Sequence, residues 1–153
     1  RYKEAEKLQP KSLYIQTQLG HTYLQLGQYE QALQHYFKVE YERPDDQKIQ
    51  RPIAWCAFLQ GNIDTALKYN QKLQETGAAS HYDWVNTGHL YACQKQFMQA
   101  AEAYLYAVQE KQMPPKEFRQ NYEADKKHLQ ANGLAADQVQ FLYEYVMLAL
   151  HSV

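Results

Sequence analysis

Apolar, small and polar positions recur along this chain with a fixed spacing of 34 residues. One set of signature positions is Leu19-Gly20, Tyr23, Gly27, Tyr29, Ala32, Tyr36 and Pro44. Shifts of 34 and 68 residues give Ile53-Ala54, Ala57, Gly61, Ile63, Ala66, Asn70 and Ala78, and then Thr87-Gly88, Tyr91, Lys95, Phe97, Ala100, Tyr104 and Gln112. At equivalent positions of the three sets, small residues correspond to small residues, and large apolar residues mostly correspond to large ones. This period predicts a stack of similar supersecondary units, none of which can bury its apolar face alone.

Each unit is predicted to be a pair of helices. A first helix runs to a turn near Gly27, Gly61 or Lys95, and a second helix begins just after it. The recurring alanine of each second helix sits where two helices should approach closely, with aromatic residues three to four positions away on the same face.

Capping residues mark where the helices begin and end. Asp45-Asp46 and Ser80 predict helix N-caps, and Gly77 predicts a C-terminal stop. Pro52 falls inside the expected first helix of the second unit, where it removes a backbone donor. That helix is therefore expected to start late, near Arg51, or to kink.

The spacing Leu-Gly-x-x-Tyr, then Gly-x-Tyr-x-x-Ala-x-x-x-Tyr, then Pro, resembles the tetratricopeptide repeat (TPR) family. Residues 13–46 and 81–114 match its signature closely, and residues 47–80 keep Gly61 and Ala66 but lose the Tyr and Pro positions. The resemblance implies an all-α fold, a right-handed α-α superhelix, in one TPR domain over residues 1–153. Residues 1–12 are interpreted as the second helix of a truncated upstream repeat, which makes the chain the C-terminal part of a longer array.

Residues 115–153 are expected to form a degenerate repeat that caps the array. One helix with apolar positions Phe118, Tyr122 and Leu129 ends at Asn132-Gly133, and a last helix spans roughly Ala135 to His151. This last helix is apolar on more than one side, so it either closes against the superhelix or meets a second protein, for example as a homodimer. The candidate association residues are Phe141, Leu142, Tyr145, Val146 and Leu150.

Composition narrows the function without naming it. The formal net charge of −1 gives no indication of a nucleic-acid partner, and no apolar run is long enough for a membrane span. Cys56 and Cys93 lack metal-ligand spacing and are expected to be buried, reduced thiols. A cytoplasmic location is expected on that basis.

No chemistry-bearing signature accompanies the repeats. There is no Gly-rich phosphate loop, no HExxH or GxSxG motif and no paired-carboxylate pattern. His21 and His89 occupy equivalent positions two repeats apart, too far to share a metal ion. We expect no enzymatic activity, no metal and no cofactor.

The TPR resemblance places the first helix of each repeat on a concave groove that binds a peptide. The groove positions carried onto this sequence are Tyr14, Thr17, Gln18, His21, Lys48, Arg51, Trp55, Phe58, Tyr82, Asn86, His89, Lys116, Arg119 and Glu123. Trp55, Phe58 and Tyr82 are the expected aromatic anchors, although Trp55 could instead turn into the core. The four cations would favour an acidic segment or a free C-terminal carboxylate.

The resemblance therefore implies a non-catalytic scaffold for a protein or peptide partner. Some TPR domains hold heat-shock chaperone tails with five residues from three first helices. Only Asn86 agrees when those positions are laid on the first three repeats, and Arg51, Asn86 and Lys116 agree when they start one repeat later, which falls short of a clamp, so that ligand is not expected. One alternative is a TPR-type chaperone of the type III secretion translocator kind, to whose last repeat residues 51–61 are faintly similar. Another is a regulatory or dimerisation segment of a larger multidomain protein.

Overall fold

The computed structural model describes residues 9–151, in which eight helices and no strand are present. The helices are α1 (Pro10–Gln25), α2 (Tyr29–Glu42), α3 (Gln47–Gln60), α4 (Ile63–Glu75), α5 (His81–Cys93), α6 (Phe97–Gln109), α7 (Pro115–Ala131) and α8 (Ala136–His151). Helices adjacent in sequence pack against one another in pairs. The all-α prediction is confirmed, and the arrangement is consistent with a helical repeat solenoid.

The chain divides into two compact units, Arg1–Leu73 (unit 1) and Gln74–Val153 (unit 2). In unit 1, α2 packs against α1 and α3, and a core cluster includes Leu33, Ile53 and Tyr69. In unit 2, α6 packs against α5 and α8, while α7 packs against α5 and α8. Each unit thus has its own set of buried apolar side chains.

In each unit, a glycine on one helix lies against a tyrosine ring from the neighbouring helix. A Cβ atom at Gly20 would lie 2.5 Å from Cε1 of Tyr36, and one at Gly88 would lie 2.4 Å from Cε1 of Tyr104. Both rings are completely buried. The recurring small residue of the sequence pattern therefore makes room for a ring from the neighbouring helix.

The predicted helix starts are confirmed at two positions. Asp46 caps α3 by accepting a hydrogen bond from the backbone N–H of Lys48 at 3.0 Å. Ser80 and Asp83 form a reciprocal capping box at the start of α5.

The prediction that Pro52 delays the second repeat's first helix is wrong. Helix α3 begins at Gln47 and contains Pro52 in its interior. The Asp46 cap satisfies one N–H group of the first turn, and burial of Ile49 and Ile53 on either side of the proline holds that turn in place.

The predicted turns inside the three repeats are also confirmed. Gly27, Gly61 and Lys95 all adopt positive φ, at 77°, 89° and 63°. Lysine is strained in this region, unlike glycine. Its ammonium group donates hydrogen bonds to the carbonyl of Gly133 at 2.8 Å and to Gln138 Oε1 at 3.2 Å.

Helix boundaries near the chain ends agree with the pattern in part. Helix α1 already begins at Pro10, three residues before the expected repeat boundary, and residues 1–8 of the predicted upstream helix lie outside the described residues. Helix α7 ends just before Asn132-Gly133, with Gly133 at φ 103°, and α8 begins within one residue of its predicted start.

Candidate functional site

The described part of unit 1 contains an open cleft of about 390 Å³ between α1 and the start of α3. Its lining residues are Pro10, Leu13, Tyr14, Thr17, Gln18, His21, Val39, Arg43, Asp46, Lys48 and Ile49. Tyr14 is 65% exposed, and Lys48 and Arg43 are also exposed. The cleft has the size of a small ligand-binding site and combines an apolar floor with a cationic rim.

One lining residue of this cleft, His21, contacts a buried tyrosine. His21 Nδ1 lies 2.7 Å from the hydroxyl of Tyr36, and the two rings meet edge to face. Burial raises the pKa of Tyr36, so its hydroxyl keeps its proton and can donate to Nδ1. No hydrogen bond or ion pair within residues 9–151 joins a carboxylate to His21.

The same histidine–tyrosine pair recurs in unit 2, shifted by 68 residues. His89 Nδ1 lies 2.7 Å from the hydroxyl of Tyr104, whose pKa is raised by burial. His89 Nε2 lies 3.1 Å from Oδ2 of Asp125 on α7. Because a carboxylate accepts hydrogen bonds, Nε2 carries the hydrogen and Nδ1 accepts from Tyr104 when the ring is neutral.

A second carboxylate of α7 contacts the start of α5. Tyr82, which is equivalent to Tyr14, donates a hydrogen bond to Oε2 of Glu117, and this bond raises the pKa of Tyr82. The same carboxylate oxygen lies 3.7 Å from His81 Nε2. Burial, in turn, lowers the pKa of His128 on the same helix.

The two carboxylates of α7 have no counterparts in unit 1. A shift of 68 residues places Glu117 on Ile49 and Asp125 on Ala57, both of which are buried and apolar. The repeat pattern alone does not indicate Asp125 or Glu117 as partners of the groove residues. Aligning the first and third repeats, together with the helices that follow them, would have found the difference.

Arg43 was also missed, because it follows α2 and not a first helix of a repeat. It is exposed and lines the cleft next to Lys48. The family positions cover only the first helices, so a cation supplied by the connection between repeats gave no signal.

The aromatic anchors predicted for the second repeat are placed differently from one another. Phe58 is 1% exposed and belongs to the buried side chains, so its predicted role as a groove anchor is wrong for this structure. Trp55 is half-buried, with its ring edge-on to Phe58 at 5.6 Å between centroids. Packing against a core ring thus draws Trp55 partly inward. Arg51, one helical turn earlier on α3, is half-buried as well.

Unit 2 keeps part of its predicted groove positions at the surface. Tyr82, Lys116, Arg119 and Glu123 are exposed, and Asn86 is half-buried. His89 is 0% exposed, because Tyr104 and Asp125 enclose both ring nitrogens. The placement of His89 on a ligand-accessible groove is therefore wrong.

The last helix has one buried and one exposed apolar stripe. Val139, Leu142 and Val146 lie in the core of unit 2, so Leu142 and Val146 cannot form the association face predicted for them. Phe141 is 68% exposed, Tyr145 is 43% exposed and Leu150 is half-buried. Leu148, at 70% exposure, extends the exposed stripe.

The remaining chemistry of the described residues is sparse. Across residues 9–151, no three His, Cys, Asp or Glu side chains are grouped so that they could hold a metal ion. Both cysteines are free thiols; Cys56 is buried, which raises its pKa to about 11. None of the helices in the same range has the length and apolar character to cross a membrane.

Comparison with known proteins does not assign this chain to a family. Neither the models of known protein families nor the curated protein sequences give a match.

Proposed function

We propose that this chain is a non-catalytic TPR-type scaffold, a right-handed superhelix of helix pairs that binds a peptide segment of a partner protein. The open cleft of unit 1 carries the proposal, because it combines concave shape, exposed aromatic surface and two exposed cations. The recurrence of the Gly–Tyr and His–Tyr contacts at a spacing of two repeats supports the repeat architecture.

Three side chains give the cleft its binding character. The exposed ring of Tyr14 offers a large contact surface that loses little conformational entropy on binding. Lys48 and Arg43 supply positive charge at the rim, and no ion pair within the described part of the chain joins either of them to a carboxylate. One cleft of this size fits micromolar affinity, about −8 kcal/mol.

Selection from a random peptide library on the full chain tests this proposal. Recovered peptides should bind the wild type with micromolar affinity in calorimetry. Tyr14→Ala should weaken binding by about 1–2 kcal/mol through the lost aromatic contact. Circular dichroism should show that its helix content is unchanged.

Tyr41→Ala is the matched control, since Tyr41 is 76% exposed on α2 and does not line the cleft. Equal affinity of Tyr14→Ala and wild type for every recovered peptide would remove the cleft as the binding site.

A further inference from the structure

The two units share one arrangement of tyrosine and histidine side chains on a first helix, called the wall below. The polar partners of these side chains differ between the units. In both, a first helix carries a tyrosine and, seven residues later, a histidine whose Nδ1 contacts a buried tyrosine hydroxyl. In unit 2, Glu117 accepts from Tyr82 and Asp125 pairs with His89. In unit 1, the equivalent Tyr14 and His21 face the open cleft.

Unit 2 thus shows which chemical groups can form polar contacts with this wall. The contacts of Tyr82, His81 and His89 with α7 described above are made to carboxylate oxygens. Because apolar Ile49 and Ala57 replace these carboxylates in unit 1, α3 offers no such acceptor to Tyr14 or His21. A ligand or water that enters the cleft can supply acceptors to these two side chains.

The charges around the cleft favour the same kind of ligand. Lys48 and Arg43 lie at its rim, and Lys116 occupies the position in unit 2 that Lys48 occupies in unit 1. Among the described residues that line the cleft, the one acidic side chain is Asp46, whose Oδ1 already accepts the backbone N–H of Lys48 as the helix cap. An anionic group entering the cleft therefore meets two cations and a carboxylate that is engaged in capping.

We infer that the cleft of unit 1 binds an acidic segment of a partner protein through two side-chain carboxylates. One carboxylate accepts from the Tyr14 hydroxyl beside Lys48, and the other accepts from His21 Nε2. This inference rests on the proposed peptide-binding function and specifies its ligand.

The distance between the two contact points restricts the ligand further. Tyr14 and His21 are seven residues apart on α1, which corresponds to about 10 Å along the helix axis. In a polyproline II chain, two acidic residues three positions apart lie on one face and about 9 Å from each other along the axis. In a helical ligand they would be about seven positions apart.

The test uses library peptides acetylated at the N-terminus and amidated at the C-terminus, so that only side chains carry negative charge. Selection on the full chain should enrich pairs of Glu or Asp at one of these spacings. Replacing either acidic residue by its amide should weaken binding about tenfold, because the amide oxygen still accepts a hydrogen bond but carries no negative charge to strengthen it or to attract the two cations. Higher salt should weaken binding of the acidic form more than that of the amide form.

Lys48→Glu and Lys116→Glu form a matched pair on the protein. Both lysines are exposed and occupy the same repeat position, but the wall beside Lys116 already holds Glu117. We expect Lys48→Glu to abolish measurable binding and Lys116→Glu to leave the affinity within about twofold, which would place the acidic site in unit 1.

Transferring the unit 2 carboxylate into unit 1 gives an independent check. Ile49→Glu should weaken peptide binding, because the introduced carboxylate competes with the peptide for Tyr14. Ile49→Gln is the control, since it changes the same buried site without adding charge. Thermal unfolding of both variants shows whether they remain folded. If they do not, the peptide amides alone decide the question.

The outcomes separate this inference from the proposed function. Peptides that need Tyr14 but bind equally well as amides would overturn the acidic ligand and keep the peptide cleft. Binding that requires a free C-terminal carboxylate, and not the acidic side chains, would also overturn it. Recovery of no cleft-dependent peptide would contradict the proposed function itself.

Discussion

The two units carry the same helix-packing device but differ in how their polar side chains are satisfied. In unit 2, His89 is enclosed by Tyr104 and Asp125, and no part of its ring is exposed. In unit 1, His21 makes the same contact to Tyr36 but is half-buried at the wall of an open cleft. The shared contacts serve helix packing, whereas Asp125 of α7 encloses the histidine of unit 2.

The largest loss of stability is expected at the paired glycines Gly20 and Gly88, where the two units are most alike. Gly88→Ala and Gly20→Ala each place a Cβ less than 3 Å from a buried ring. Either substitution should lower the free energy of unfolding by about 2–3 kcal/mol, because the ring cannot move without displacing the core. Urea unfolding of both variants measures this.

Gln18→Ala, at an exposed position of α1, is the control and should stay within about 0.5 kcal/mol of wild type. Wild-type stability of either glycine variant would show that the close approach is not a shared constraint of the two units.

The difference between the units is tested most directly at Asp125. Asp125→Ala gives unit 2 the residue type that unit 1 has at Ala57 and leaves buried His89 Nε2 without its carboxylate. We expect the free energy of unfolding to fall by about 1–3 kcal/mol, the usual cost of a buried polar group that loses its partner.

Glu123→Ala provides the matched control on the same helix. Glu123 is exposed and pairs with Lys126 at 2.6 Å, so its removal should change stability by less than about 1 kcal/mol. Equal effects of the Asp125 and Glu123 substitutions would mean that Asp125 contributes no more than a surface charge.

A smaller and more discriminating effect is expected at the two tyrosine hydroxyls. Tyr104→Phe should lower the free energy of unfolding by about 1 kcal/mol, because enclosed His89 cannot replace the lost contact with water. Tyr36→Phe should cost less than Tyr104→Phe, because half-buried His21 can turn to solvent. The two variants are compared by thermal unfolding at one pH, and a larger cost at Tyr36 would contradict the distinction between an open and a closed wall.

The helices were predictable because their ends are encoded locally. The caps at Asp46 and Ser80 and the turns at Gly27, Gly61 and Lys95 depend on a few neighbouring residues. Pro52 was misinterpreted because the cap and the buried isoleucines beside it outweigh its local preference.

The site was less predictable because it depends on contacts between distant positions. His89 meets Asp125 across 36 residues, and neither the period nor the family positions indicate that this carboxylate encloses it. The TPR positions likewise specify which helix carries a residue but not how exposed its side chain is. The predictions for Phe58 and His89 were wrong for this reason, because both side chains are buried. The cleft of unit 1 was predicted only through its members on α1 and α3.

The turn at Lys95 has a consequence for the order in which unit 2 folds. Helices α5 and α6 can form their hairpin early, because the loop that joins them is short. The hydrogen bonds of the Lys95 ammonium group to Gly133 and Gln138 close chain segments of 38 and 43 residues, and such closures carry a larger entropic cost. We therefore expect the hydrogen bonds of the lysine that replaces glycine in this turn to form late in folding, after α7 and α8 have packed against the hairpin.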